Sequence, residues 1–147
     1  MTKLRCGTGF VCLCLIAVGG CGGPPKTYPV QGLVVYPDGK PVKRGTVEFE
    51  VIGQKKAITA TGEIAADGSF QLGTYTANDG AIAGEHRAAV IVDYDIGTGV
   101  ERPDELPPPE LHPKYRAFKT SELKFTVEPR LNNILIKVEY AEPEMKP

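Results

Sequence analysis

Residues Thr46 to Val51 read Thr-Val-Glu-Phe-Glu-Val, polar and apolar residues in strict alternation. Only an extended strand places Val47, Phe49 and Val51 on one face and Thr46, Glu48 and Glu50 on the other. The same period of two recurs along the chain, with turn signals about every 8–12 residues and no amphipathic helical pattern. Val30 to Tyr36 is β-branched and largely apolar on both faces, as expected of a central strand or of one under a loop. Pro37-Asp38-Gly39-Lys40-Pro41 links it to Thr46–Val51, since proline fixes φ and glycine supplies a positive φ. A third strand is expected over Ala57 to Ile64, with Ile58, Ala60 and Ile64 on one face. Asp67-Gly68 is the strongest hairpin signal, and it leads into Ser69-Phe70-Gln71-Leu72. Glu85 to Tyr94 follows, with Ala88, Val90 and Val92 inward, then Leu123 to Val127 and Asn133 to Tyr140. In the last, Ile134, Ile136, Val138 and Tyr140 oppose Leu135, Lys137 and Glu139. Seven such strands predict an all-β, Greek-key β-sandwich.

One stretch breaks the rhythm. Residues 93–120 show no period and hold Pro103, Pro107, Pro108, Pro109 and Pro113. Long loops in small domains are usually functional or disordered. Pro107-Pro108-Pro109 favours a stiff extended segment that presents Leu106, Leu111 and Tyr115 at low entropic cost. Those three residues are a candidate partner-docking surface; the alternative is a plug that packs Tyr115 and Phe118 over an open end of the fold.

All four cysteines, Cys6, Cys12, Cys14 and Cys21, lie in the first 21 residues, so none remains in the body for a disulfide or a cysteine-rich metal site. Lys3 and Arg5 precede an unbroken apolar run of nine residues, Phe10 to Val18. That run has the length of an export signal and is too short to cross a bilayer, which takes about 20 residues. Val18-Gly19-Gly20-Cys21 then resembles the bacterial lipobox: an aliphatic residue, two small residues and cysteine. The resemblance implies cleavage between Gly20 and Cys21, a diacylglycerol on the Cys21 sulfur, and further acylation by chains such as palmitate. An ordinary secretory signal, with Cys21 as a spare thiol, is the alternative. Each buried CH₂ contributes about 0.8 kcal/mol, so two or three acyl chains hold a protein at the membrane. Gly22 follows, where related lipoproteins retained at the inner membrane carry aspartate; this leans toward the outer membrane. The expected location is thus cell membrane or outer membrane, lipid-anchored, facing periplasm or cell surface.

The expected organisation is a signal peptide over residues 1–20 and a tether over 21–27. A β-domain over 28–140 and a tail over 141–147 complete it. From Gly22 to Thr27 the tether reaches at most about 20 Å. The chain carries 17 basic and 18 acidic residues; without Lys3 and Arg5 the mature part is close to −3. With no basic stripe along it, nucleic acid is not an expected partner.

Val30-x-Gly32, Pro37-Asp38-Gly39-Lys40-Pro41-Val42 and Gly45-x-Val47-x-Phe49 resemble, in that order, the transthyretin-like sandwich called the carboxypeptidase regulatory-like domain. Ala66-Asp67-Gly68-Ser69-Phe70 and Gly84-Glu85-His86 continue the likeness. More narrowly, the chain is similar to small lipoproteins of planctomycete bacteria, through Pro113-Lys114-Tyr115, Thr120-Ser121-x-Leu123 and Asn132-Asn133. The resemblance covers about residues 28–140 and implies a fold and a location more than an activity. Domains of this type space, stabilise or bind.

Transthyretin relatives include a hydrolase of 5-hydroxyisourate that uses histidines, an arginine and a C-terminal Tyr-Arg-Gly-Ser. Only Tyr115-Arg116 echoes it, followed by Ala117-Phe118 and far from the C-terminus. His86 and His112 are 26 residues apart with no cysteine partner, which is not zinc-ligand spacing. Asp93-Tyr94-Asp95, Asp104 and Glu105 lack the patterned ligands of a calcium loop and read as a solvated acidic rim. Ser69 and Ser121 belong to turns, Glu48 and Glu50 to an outer strand face, and no phosphate-binding glycine loop is present. No catalytic residue, metal or cofactor is therefore expected. The expected function is a non-enzymatic, lipid-anchored structural or binding module of the cell envelope. The alternative is a carbohydrate- or peptide-binding accessory subunit of an envelope complex that uses the 93–120 loop. Its partners would be the membrane, through lipid on Cys21, and an envelope protein or glycan.

Overall fold

Val47 and Phe49 are fully buried and Val51 nearly so, the inner face that their alternation dictates. They lie on strand β3 (Thr46–Val51) of a computed structural model that describes residues 23–92 and 111–142. Around it run β1 (Thr27–Tyr28), β2 (Val30–Val35), β4 (Thr59–Glu63), β5 (Ser69–Gln71), β6 (Ala81–Ile82), β7 (Gly84–Ile91), β8 (Lys124–Val127) and β9 (Asn132–Lys137). The described chain is all-β, apart from a single 3₁₀ turn at Pro113–Arg116. Three open sheets result: β5-β2-β9, β4-β3-β7-β8, and the small pair β1-β6. Inner residues of the two larger sheets, among them Val34, Phe49, Leu72, Val90 and Ile136, share one core cluster, an arrangement compatible with a β-sandwich.

Nine strands stand among the described residues where seven were expected. The additional two are the two-residue strands β1 and β6. Neither is long enough to display a period, and pairing already begins at Thr27, within the stretch read as tether. Several ends are also shorter than the alternation suggests. The last strand stops at Lys137 because its partner β2 ends at Val35 and turns away; Tyr140 lies past its end, in an isolated bridge with Leu111.

Both turn motifs form, and both act as corners between sheets. Tyr36 N–H donates to Lys40 O at 2.8 Å, Asp38 accepts from Lys40 N–H at 3.2 Å, and Gly39 takes φ 83°. Val42 then donates back to Val34 O before the chain leaves for β3 in the other sheet. Asp67 accepts from Ser69 N–H (3.0 Å) and Oγ (2.6 Å), with Gly68 at φ 83°. The turn does not close a simple hairpin: β5 pairs with β2 and β4 with β3. Val34 N–H donates to Gly68 O, tying the corner to β2 instead. Strand β9 runs parallel to β2, residue 30 beside 132. Period-two patterning is blind to strand direction.

Candidate functional site

Downstream of β5 the chain makes a tight loop, residues 73–80. Gly73 bridges to Thr61 through both of its backbone groups, which caps the outer edge of β4 there. Asp79 reaches back to accept from the N–H groups of Thr74 (2.6 Å), Tyr75 (3.1 Å) and Thr76 (3.1 Å). Burial pushes the Asp79 carboxyl up, but these hydrogen bonds outweigh it and hold the group below its ordinary value, so it stays ionised. Thr74 Oγ1 donates to Gly80 O at 2.7 Å. Asn78 takes φ 62°, a conformation asparagine tolerates better than most residues. Gly80, at φ 92°, lies so close to Tyr28 O that a Cβ would sit 1.8 Å from it. The loop is thus pinned at several points.

What the pinned loop displays is Tyr75, 46% exposed. Its ring borders an open groove of about 970 Å³ lined by Thr46, Thr61, Glu63, Gln71 and Asn78, with Phe70 and Ile64 in the floor. Thr46, Thr61, Glu63, Gln71 and Asn78 line the groove and make no side-chain hydrogen bond among the described residues. An aromatic ring beside hydroxyls, amides and one carboxylate is suited to hydrogen bonding and stacking with a polar ligand. Nothing in the alternation of β4 and β5 marks this groove. The readable signal was Tyr75 itself, an aromatic residue among Thr, Asn, Asp and Gly.

The residues singled out from sequence fall elsewhere. Cys21, Gly20 and Leu106 lie outside the described residues, as do Asp93, Asp95, Asp104 and Glu105. Leu111 and Tyr115, expected to present a docking face, are instead 1% and 4% exposed and belong to the core cluster. Removing these two apolar side chains from water favours the core position over a displayed one. Phe118, half-buried, lies under the Arg87 guanidinium at 5.4 Å, and Arg87 is bonded to Glu50 on the adjacent strand. Residues 111–118 therefore pack as a plug.

Each histidine has a structural partner. His86 is 1% exposed, and because a carbonyl only accepts, its Nδ1 donates to Gly84 O at 3.0 Å. Burial pushes its pKa below the ordinary 6.5, outweighing that hydrogen bond, so the ring is neutral. His112 Nδ1 accepts from Lys114 N–H at 3.1 Å and caps the 3₁₀ turn. Among the described residues no group of three or more His, Cys, Asp or Glu could hold a metal, and no helix is long and apolar enough to cross a membrane. No known family profile, curated protein or solved structure matches the chain.

Proposed function

We propose that this chain is a lipid-anchored, non-enzymatic module of the cell envelope. In this reading it is a transthyretin-like, Greek-key sandwich whose two main sheets hold seven strands. The observation that carries the reading is the closeness of Cys21 to the fold. A cysteine placed as in a lipobox, behind a positive n-region and a nine-residue apolar run, stands six residues before the first paired strand. Lipid on that sulfur would hold the domain within about 20 Å of the bilayer. Intact-mass spectrometry of the membrane fraction tests it. Wild type should carry a mass increment of acyl chains that Cys21→Ser lacks; an unmodified, freely soluble mature protein would refute the anchor.

A second reading is favoured by Tyr75: the module binds a neutral saccharide in the 970 Å³ groove, as an accessory subunit of an envelope complex. This moves the binding site away from the 93–120 loop, whose Leu111 and Tyr115 are buried. A peptide adding a strand needs free backbone groups, and Gly73 already occupies those of Thr61. Side-chain hydroxyls and a ring face remain, which suit a sugar. A thermal-shift screen against neutral glycans and peptides should give a rise with a glycan in wild type and none in Tyr75→Ala. The same rise in both proteins would remove this site.

A further inference from the structure

The tether enters at one end of the domain, and the strand directions say which turns share that end. Strands β2 and β9 run parallel and start there, with Asn132 N–H donating to Pro29 O at 2.9 Å. Strand β8 finishes there, because Glu128 N–H donates to Asn132 Oδ1 at 2.9 Å. Gly84 at the start of β7 pairs with Val127, and Ile52, just past β3, donates its N–H to Glu85 O at 2.8 Å. The turns at 52–58 and 128–131 therefore sit beside the point where the chain leaves toward Cys21.

We propose that this end lies against the lipid surface, with Ile52 and Leu131 entering the headgroup region; the inference rests on the lipid-anchor reading. Ile52 is 44% and Leu131 53% exposed, large apolar side chains where these turns join β3 and β9, and neither belongs to the core cluster. Lys55 and Lys56 share the first turn, and Lys26 precedes β1; none of the three has a carboxylate partner among the described residues. Glu85 and Glu128 are also at this end, Glu128 paired with Arg130. Lysines beside exposed aliphatic tips match anionic headgroups above an apolar layer. Two side chains could not retain a free protein, but a short tether keeps them at high effective concentration near the bilayer, where weak contacts suffice to orient it. At the far end, Asp38 is bonded to Lys40 and Tyr140, and Lys114 to Glu139 at 2.7 Å; Lys43 and Arg44 bring basic charge there too, but no large exposed aliphatic side chain accompanies them among residues 36–45.

The test uses the full mature protein in vesicles of phosphatidylethanolamine and phosphatidylglycerol. Four variants, Ile52→Cys, Leu131→Cys, Lys43→Cys and Leu135→Cys, each carry an environment-sensitive fluorophore, with doxyl-labelled lipid as quencher. Lys43 lies in the turn before β3, at the far end, and Leu135 on the flank of β9. Quenching several-fold stronger at 52 and 131 than at 43 and 135 is the expected result. Equal quenching at all four positions, or strongest quenching at 43, overturns the orientation while acylated Cys21, read by mass, leaves the anchor standing. An unacylated Cys21 overturns both. Circular dichroism of each labelled variant excludes unfolding as the cause of quenching.

Discussion

Tyr36 and Tyr140 stack with ring centroids 4.0 Å apart and planes 6° from parallel, and the Tyr140 hydroxyl donates to both Asp38 carboxylate oxygens, at 3.0 and 3.1 Å. Tyr36 follows β2 and Tyr140 lies beyond β9, so the contact closes the far end of the three-stranded sheet after its ladder has ended. Tyr36 is buried, while Tyr140 is 40% exposed. Tyr140→Ala should lower stability by about 1–2 kcal/mol, through lost ring contact and buried area. Tyr140→Phe, which keeps the stack, should cost less; urea denaturation of the two variants compares them.

Asn132 holds the turn at the opposite end. Its Oδ1 accepts from Glu128 N–H at 2.9 Å, and its Nδ2 donates to the carbonyls of Arg130 (2.6 Å), Glu128 (3.0 Å) and Pro29 (3.3 Å). The residue is 8% exposed, so these partners lack ready access to water. Asn132→Ala should cost about 2 kcal/mol, mostly from polar groups left unpaired. Asn132→Asp should cost more, since it aims a carboxylate oxygen at three carbonyls. Equal loss in both variants by chemical denaturation would show that packing dominates.

Gly32 sits where two strands and a ring converge. A Cβ there would lie 2.0 Å from Ile134 O and 2.8 Å from the Phe70 ring. Because the first clash is with backbone of the paired strand β9, rotamer change cannot relieve it. Gly32→Ala should destabilise by about 2–3 kcal/mol. Combining it with Phe70→Leu should recover little, and a full rescue in thermal unfolding would place the strain on the ring instead.

His86 makes stability depend on pH. Its folded pKa lies below the unfolded value of 6.5, so between the two the unfolded chain binds the extra proton. Stability is therefore fully present above 6.5 and declines as the pH falls from there toward the folded value. Urea midpoints from about pH 7.5 down to about pH 5 should fall in wild type, and the decline should be shallower in His86→Leu. Parallel decline in both would assign the effect to the carboxylates.

Strands such as β3 and β9 were readable because each has a wetter and a drier face, whereas the apolar run of β2 hid that its Leu33 faces solvent. The alternation of Val47, Phe49 and Val51, or of Ile134 and Ile136 against Leu135, is a local consequence of that difference. Turns carried by Asp38-Gly39 and Asp67-Gly68 were readable for a similar reason, since φ and the Asx hydrogen bond are set within a few residues. Which sheet each strand joins was not readable. Asp67-Gly68 looks like a hairpin in any sequence, and only Val34 N–H meeting Gly68 O turns it into a corner. The fates of Leu111 and Tyr115 were likewise decided by a core built from residues far away in the chain. The groove beside Tyr75 and the end of the domain that shares the tether exist only once β5 has left β4 and β9 has come to lie along β2. Sequence alone determined the elements whose energetics are local. Tertiary structure decided direction, partners and exposure, because those depend on contacts between residues as far as 103 positions apart, as Pro29 and Asn132 are.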